Sequence, residues 1–142
     1  MNTNYKINKP TNEPIKSYVN GTSERLELKD ALDKLYNSQR DIPLIIDGKE
    51  VFTSITEEFI IPHEKGHVLA RYHKATEKEL KMAIDASLKA KERWEATSWY
   101  QRSAIFNKAA NLISSKYRSL LNAATMLGQS KTIYQSEIDS AC

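Results

Sequence analysis

Apolar residues recur along the sequence first with a helical period, then in short β-branched runs, and then with a helical period again. The first helical pattern places four apolar residues on one face: Leu28, Ala31, Leu32 and Leu35. This spacing predicts a helix that is capped by Ser23 and ends near Asn37 or Ser38. Residues 1–20 are rich in Asn, Thr, Pro and Lys, so they are predicted to form an extended or mobile arm.

Two strand pairs are predicted in the middle of the chain. Residues 42–54 have the pattern of a hairpin, because two apolar runs flank Asp47-Gly48, which is a strong turn signal. A second strand–turn–strand unit covers residues 59–72, and its turn is bounded by Pro62 and Gly66.

The helical period returns at residue 76. Two capping boxes, Thr76 with Glu79 and Ser98 with Gln101, predict the starts of two helices, and a third helix is expected to end with Gly128 at its C′ position. One face of the first of these helices is lined by Leu80, Ala83, Ile84, Ser87, Leu88 and Lys91 and is extended by Trp94. The corresponding faces of the next two helices carry Ile105, Phe106, Ala109, Leu112 and Ile113, and Leu120, Leu121, Ala124, Met126 and Leu127.

Residues 131–142 carry the start of one more helical pattern. No stop signal follows before the sequence ends, which favours a fragment or a truncation. Together the elements predict an α/β fold in which two β-hairpin-like units are followed by several amphipathic helices.

Composition narrows the classes of function. The chain has 142 residues, with 21 Lys and Arg against 18 Asp and Glu, which gives a net charge of +3. Its basic residues are scattered among acidic ones, so nucleic-acid binding is not indicated. No apolar run is long enough to span a bilayer. The single cysteine, Cys142, excludes an internal disulfide and a metal site with several cysteines.

The run His63-Glu64-Lys65-Gly66-His67 matches the H-E-x-x-H motif of zinc hydrolases, and His73 stands where an extended motif has a third ligand. That chemistry needs two imidazoles one helical turn apart, with the glutamate as general base to a zinc-bound water. Pro62 and Gly66 oppose a helix here, and Ala70 replaces the glycine of the extended motif. We therefore favour three surface histidines in a strand–turn–strand unit.

The remaining candidates are weak. Residues 128–132 faintly resemble a phosphate-binding loop, but Ser130 and Thr125 replace both required glycines, so a helix end followed by a helix start is favoured. Cys142 has no structured niche or base to activate it. The acidic pair Glu57-Glu58 is predicted to face solvent in a polar connection.

Three aromatic residues surround the predicted connection between two helices, and they are expected to pack at the edge of the core: Trp94, Trp99 and Tyr100. The residues by themselves therefore indicate an α/β domain without a convincing active site.

Several runs resemble the N-terminal part of the aldehyde dehydrogenase superfamily. Residues 45–50 are similar to its first hairpin, and residues 62–70, with the pattern Pro-x-x-x-Gly-x-Val-x-Ala, are similar to the turn that follows. Residues 83–94 resemble the next helix, which ends at a tryptophan, and residues 102–112 resemble the helix after it.

Within this superfamily the 1-pyrroline-5-carboxylate dehydrogenase branch is the most similar. Residues 12–14 and 21–25 resemble its N-terminal arm, and residues 41–43 lead into the hairpin as they do in that branch. The most specific run is Met-x-Gly-Gln-x-Lys-Thr-x-x-Gln-x-Glu-Ile-Asp at residues 126–139. The resemblance extends from about residue 12 onward, and it covers only the front part of a protein several times longer.

The resemblance implies the N-terminal part of an aldehyde-dehydrogenase-like fold, with residues 1–41 as an arm and first helix and residues 42–142 as the incomplete N-terminal part of the NAD-binding domain. The whole enzyme of that branch oxidises L-glutamate γ-semialdehyde to glutamate with NAD in proline catabolism, through attack by a cysteine thiolate. The nucleophile, the base and the NAD-binding loops lie downstream in the family. No catalytic, cofactor-binding or metal-binding residue is therefore assigned here, and the chain alone is expected to be inactive.

For the whole enzyme the resemblance implies a small-molecule substrate and a homo-oligomer, with no nucleic-acid or membrane partner. It also implies a location in the mitochondrial matrix. Residues 1–22 lack the arginines and the amphipathic pattern of a mitochondrial presequence, and taken by themselves they favour a cytoplasmic location. Two alternatives stay open: a truncated, catalytically inert relative that is a binding or non-functional module, and a zinc hydrolase built on His63, Glu64 and His67.

Overall fold

The computed structural model describes residues 12–141. In chain order the elements are α1 (Ser23–Tyr36), β1 (Arg40–Ile42), β2 (Leu44–Ile46), β3 (Lys49–Val51), β4 (Thr56–Ile60), β5 (Val68–His73), α2 (Glu77–Ala96), α3 (Trp99–Ser114), α4 (Arg118–Gln129) and α5 (Ile133–Ala141). The two predicted hairpin-like units and the helices that follow them are present, which confirms the predicted α/β class.

The hairpin of β2 and β3 is antiparallel, with Ile46 opposite Lys49. Its two turn residues, Asp47 and Gly48, have φ angles of 52° and 72°. Positive φ at both central residues is what the tight turn of a two-residue hairpin requires, and Asp-Gly meets that requirement at low cost. The hairpin prediction is confirmed.

The second unit is also confirmed, and it belongs to a three-stranded sheet in the order β1-β5-β4. β4 pairs antiparallel with β5, with Phe59 opposite Ala70. Because β4 begins at Thr56, the pair Glu57-Glu58 lies in a strand, and its predicted position in a connection is wrong.

The strand β1 was not predicted. It pairs parallel with β5, so that Arg40 lies opposite Ala70. β1 consists of an arginine, an aspartate and an isoleucine, and all three are exposed. One apolar residue cannot show the alternation by which a strand is recognised in a sequence.

The buried core lies where α1 packs on α4. It consists of Tyr18, Leu28, Leu35, Ile61, Ala123 and Leu127, with Ala31 and Leu32 packed against it. The apolar face predicted for α1 is thus the face that is buried. The cap of this helix is Thr22, one residue before the predicted Ser23, because Thr22 has the extended backbone of a cap and Ser23 is already helical.

Both predicted capping boxes are present. The Glu79 carboxylate accepts a hydrogen bond from the backbone N–H of Thr76 at 2.9 Å. At α3 the side chains of Ser98 and Gln101 each accept from the other residue's backbone N–H at 3.3 Å. These bonds satisfy N–H groups that have no partner within the helix, and they fix where α2 and α3 begin.

The predicted end of α4 is wrong. Gly128 lies inside the helix, and the left-handed residue that ends it is Ser130, with φ 54°. Gly128 is instead required by packing, because a Cβ there would stand 3.1 Å from Cε1 of the Phe59 ring. Close approach of α4 to β4, and not the helix terminus, explains this glycine.

The apolar faces of α2 and α3 are largely exposed in the described part of the chain. Leu88 and Phe106 are 62% and 67% exposed. The expected packing of Trp94, Trp99 and Tyr100 at the core edge is not observed, since all three are exposed and contact aromatic neighbours. Among residues 12–141, no helix has the length and apolarity needed to cross a membrane.

Candidate functional site

Charged and polar side chains are buried together where residues 14–18 meet α4 and α5. Arg118 and Asn122 come from α4 and Glu137 comes from α5, while Tyr18 lies before α1. Their exposed fractions are 3%, 1%, 0% and 3% in that order. Buried charges need partners, so the bonds within this cluster decide what it can do.

The Glu137 carboxylate is the centre of the cluster. Its Oε1 accepts from the backbone N–H of Lys16 at 2.9 Å, and its Oε2 accepts from the Tyr18 hydroxyl at 2.6 Å and from Nδ2 of Asn122 at 2.7 Å. Arg118 donates to the same carboxylate through Nε, at 3.1 Å to Oε1, and through Nη2. This ion pair is enclosed and hydrogen-bonded, which is the arrangement that a buried pair needs.

The other bonds of the cluster extend it to the chain before α1. Nη2 of Arg118 also donates to the carbonyl oxygen of Pro14 at 2.7 Å. Nδ2 of Asn122 donates to the Tyr18 hydroxyl at 2.9 Å. Residues 14–18, α4 and α5 are therefore joined around one carboxylate, and the bonds from residues 14–18 span more than a hundred positions.

The surroundings fix the charge state of these groups. Burial raises the pKa of Glu137, but hydrogen bonds from Arg118, Tyr18, Lys16 and Asn122 outweigh it and lower that pKa to about 2. Burial and the neighbouring carboxylate raise the pKa of Tyr18 to about 12. Glu137 is therefore an anion and Tyr18 a neutral donor at neutral pH.

This arrangement serves structure better than chemistry. The carboxylate, the guanidinium and the hydroxyl are bonded to one another, and among the described residues only Oδ1 of Asn122 is left in this cluster without a partner. A lone amide acceptor does not activate a nucleophile or transfer a proton. The cluster fixes residues 14–18, α4 and α5 relative to one another.

The histidines of the zinc-hydrolase motif lie in the turn between β4 and β5, as the strand–turn–strand interpretation predicts. Nδ1 of His63 lies 2.7 Å from Oγ of Ser130, and the Glu64 carboxylate accepts from the Tyr36 hydroxyl at 2.8 Å. The His67 ring packs on the Tyr36 ring at a centroid distance of 4.1 Å. The motif residues thus contact α1 and the end of α4, in a turn that does not place them as the motif of a helix would.

The prediction of a surface position is wrong for His73. Its side chain is 8% exposed, with Nε2 located 3.2 Å from Oδ1 of Asp41. Its Nδ1 lies 2.8 Å from the backbone N of Thr53. His73 therefore connects β5 with β1 and with the residues after β3. Within residues 12–141, no group of three or more His, Cys, Asp or Glu residues is placed to hold a metal ion.

The segment that resembles a phosphate-binding loop connects α4 to α5, as the alternative interpretation predicts. The backbone N–H of Thr132, which a phosphate would need, already donates to Oε1 of Gln135 at 2.9 Å. Nζ of Lys131 is paired with Asp139. These residues do not fit the pyrophosphate of NAD, so no step of a reaction is derived through it.

A cavity of about 380 Å³ lies beside this connection, and its lining consists of Leu32, His63, Met126, Leu127, Ser130 and Lys131. The His63 ring and the Ser130 hydroxyl meet in this lining, with Nδ1 2.7 Å from Oγ. Cys142 lies outside the described residues, so its predicted inertness is not tested.

No pattern in the sequence predicts the cluster around Glu137. Arg118 and Asn122 are one helical turn apart, which places two polar residues on one side of α4. This spacing could have revealed a polar stripe. It could not have revealed that the stripe is buried, because its partners Tyr18 and Glu137 are more than a hundred residues apart in the chain.

Comparison with known proteins supplies what the geometry leaves open. The aldehyde dehydrogenase family model matches residues 52–141. The chain is 42% identical to the mitochondrial delta-1-pyrroline-5-carboxylate dehydrogenase of Dictyostelium discoideum and 46% identical to a probable delta-1-pyrroline-5-carboxylate dehydrogenase of Schizosaccharomyces pombe. These alignments cover 93% and 96% of this chain but 24% and 25% of the relatives.

The fold gives the same result. The crystal structure of the delta-pyrroline-5-carboxylate dehydrogenase from Mycobacterium tuberculosis bound with NAD aligns with all of this chain and with 27% of its own, at a TM-score of 0.96 and 34% identity. The chain thus spans about a quarter of the length of the proteins it matches. Because the family model covers more than half of the sequence and the folds agree, this chain belongs to the aldehyde dehydrogenase family.

Proposed function

We propose that the chain is the N-terminal segment of an NAD-dependent dehydrogenase that oxidises L-glutamate γ-semialdehyde, the open form of 1-pyrroline-5-carboxylate, to glutamate. The observation that carries the proposal is the similarity to 1-pyrroline-5-carboxylate dehydrogenases, which extends over nearly the whole chain in sequence and in fold. A similarity limited to features that all aldehyde dehydrogenases share would support membership of the family but not this substrate.

In this proposal the chemistry belongs to parts of the enzyme outside this chain. NAD accepts a hydride when it is bound in the whole enzyme. The connection between α4 and α5 does not fit the pyrophosphate of a dinucleotide, since the N–H of Thr132 and the ammonium of Lys131 already have partners. In this proposal residues 1–41 are the N-terminal arm and first helix, and residues 42–142 are the incomplete N-terminal part of the NAD-binding domain.

A chimera tests this function directly. The N-terminal quarter of the S. pombe relative is replaced by this chain, and NAD reduction is followed by absorbance with 1-pyrroline-5-carboxylate as substrate. We expect activity from the chimera, a preference for this substrate over acetaldehyde, and no activity from the chain alone. The controls are the intact relative and the relative without its N-terminal quarter.

Two outcomes of this experiment contradict the proposal. A folded, soluble chimera without activity would favour the alternative of a catalytically inert relative. An active chimera that has lost the intact relative's preference for 1-pyrroline-5-carboxylate over acetaldehyde would leave the family membership intact and show that this segment does not fit an enzyme with that substrate.

The location and assembly of the whole enzyme are part of the same proposal. Several relatives are named as mitochondrial, which supports the mitochondrial matrix over the cytoplasm. The whole enzyme is proposed to be a homo-oligomer that acts on a small molecule. Microscopy of the full-length protein with a C-terminal fluorescent tag tests the location, and sedimentation velocity of the purified enzyme tests the assembly.

A further inference from the structure

The segment before α1 contacts the buried ion pair with alternate residues. Residues 12–22 belong to no helix or strand. The carbonyl of Pro14 accepts from Arg118, the N–H of Lys16 donates to Glu137, and the hydroxyl of Tyr18 donates to Glu137. We call residues 14–18 the strap. Contacts at every second residue are those of an extended peptide lying in a groove.

The groove is formed by Arg118, Asn122 and Glu137. It binds the strap mainly through the backbone of the strap. Pro14 and Lys16 contribute a carbonyl and an N–H to it, and residues 14–17 are exposed. Tyr18 is the exception, because its side chain is 3% exposed and joins the core. One aromatic side chain with a hydroxyl therefore anchors an otherwise exposed segment.

The backbone at the anchor is strained. Tyr18 has a φ of 52°, in the left-handed region that bulky residues avoid, and the nearby Gly21 has a φ of 89°, which glycine adopts freely. Strain of this kind persists only where contacts hold it. Here Arg25 donates from Nη1 to the carbonyl of Tyr18 at 3.0 Å, in addition to the bonds of the hydroxyl. Release of the strap would relieve this strain.

Glu137 links the strap to α5. Two donors to its carboxylate, the Lys16 N–H and the Tyr18 hydroxyl, come from the strap, and the others come from Arg118 and Asn122 of α4. When the strap leaves, Glu137 keeps Arg118 and Asn122 of α4 as partners, and water reaches the ion pair. In this undocked state the ion pair is hydrated. Helix α5 has then lost the two hydrogen bonds that connect Glu137 to the strap.

We propose that the strap stabilises α5, so that docking of residues 14–18 and packing of α5 against α4 are coupled through Glu137. The occupant of the groove is this chain's own strap, which supplies an aromatic hydroxyl and two backbone groups to a carboxylate–guanidinium pair. The coupling is a property of the fold and does not depend on the proposed dehydrogenase activity.

Hydrogen exchange of the full chain, measured by mass spectrometry or NMR, tests the coupling. Tyr18→Phe removes the anchoring hydroxyl and keeps the ring. We expect exchange of the Lys16 amide, which donates to Glu137, and of the Ser136 amide, which donates to Thr132 in the first turn of α5, to accelerate roughly tenfold or more. Tyr134→Phe is the matched control, because Tyr134 is an exposed tyrosine on α5 and its change leaves exchange unaltered.

A second pair of variants keeps the test valid if Tyr18→Phe fails to fold. Lys16→Pro removes the N–H that donates to Glu137, whereas Lys16→Ala retains it. We expect faster exchange in α5 from the first variant and wild-type exchange from the second. Faster exchange confined to the strap, with α5 unchanged, overturns the proposal, as does an effect of Lys16→Ala equal to that of Lys16→Pro.

Discussion

Gly128 of α4 and Phe59 of β4 are in close contact, so that a Cβ at position 128 would stand 3.1 Å from Cε1 and 3.3 Å from Cζ of the ring. These distances are shorter than ordinary contact between carbon atoms. The absence of a side chain at position 128 therefore allows the helix to lie on the sheet. The contact joins two elements whose sequences carry no sign that they meet.

A double-mutant cycle measures this contact. Alanine is favoured over glycine inside a helix by about 0.5–1 kcal/mol, but in the wild-type background the ring of Phe59 opposes that gain. We expect Gly128→Ala to be neutral or destabilising by itself and to stabilise the Phe59→Ala variant. Urea unfolding of the four proteins should give a coupling energy of about 1 kcal/mol. Equal effects in both backgrounds would contradict the contact.

Removal of the charge at the centre of the cluster is expected to be costly. Glu137→Gln leaves Arg118 buried without its counter-ion, and loss of one partner of a buried pair costs about 3 kcal/mol or more. The free energy of unfolding measures the loss. Glu92→Gln on the exposed surface of α2 is the control, and we expect it to change stability by less than about 0.5 kcal/mol. Similar values for the two variants would show that the pair contributes little.

The same carboxylate predicts a pH dependence. Its pKa is about 2 in the folded chain, below the ordinary value of 4.5, so the unfolded chain binds more protons in between. The stabilisation is complete above about pH 4.5 and is lost as the pH falls toward 2. We expect Glu137→Gln to flatten the decline of unfolding free energy in this range. A decline as steep in the variant as in the wild type would assign it to other carboxylates.

The hairpin offers a comparison of two glycines. Gly48 has a φ of 72°, which an alanine adopts at a cost of about 1–2 kcal/mol, and a Cβ there would meet nothing within 4 Å. Gly66 also has open space, and its φ lies outside the left-handed region. Gly48→Ala should therefore lower the melting temperature, whereas Gly66→Ala should leave it nearly unchanged or raise it. Equal shifts would mean that the turn does not depend on its left-handed geometry.

Local signals in the sequence are sufficient to predict much of this fold. The Asp47-Gly48 turn and the capping boxes at Thr76 and Ser98 act within a few residues, and each was found where predicted. Such features are decided by the backbone preferences and hydrogen bonds of neighbouring residues.

Features that depend on distant contacts were missed or misassigned. The strand β1 exists because β5 accepts it as a parallel neighbour, and its own residues are exposed. Gly128 had the position of a helix terminator, but its role is set by Phe59. Arg118 and Glu137 are residue types that usually face solvent, so their burial could not be predicted without knowing that they meet.

The exposed apolar faces of α2 and α3 predict the behaviour of the chain in solution. Leu80, Leu88, Ile105 and Phe106 are each more than half exposed. Exposed apolar side chains in this number promote association. We expect the isolated chain to bind the dye ANS and to show an apparent mass that rises with concentration in sedimentation equilibrium. A Phe106→Ser variant should reduce both effects, and a monodisperse monomer without dye binding would contradict the prediction.

The bond between Tyr18 and Glu137 closes a loop of 119 residues. During synthesis from the N-terminus, Tyr18 leaves the ribosome long before its partner has been added. The β2–β3 hairpin can form at once, because its partners are neighbours in the chain. The core that contains Tyr18 must wait for Ala123 and Leu127 of α4, and the bond to Glu137 must wait for α5 and for closure of this long loop. Non-local closure of this kind is slow, so we expect the hairpin to form before residues 14–18 join α5.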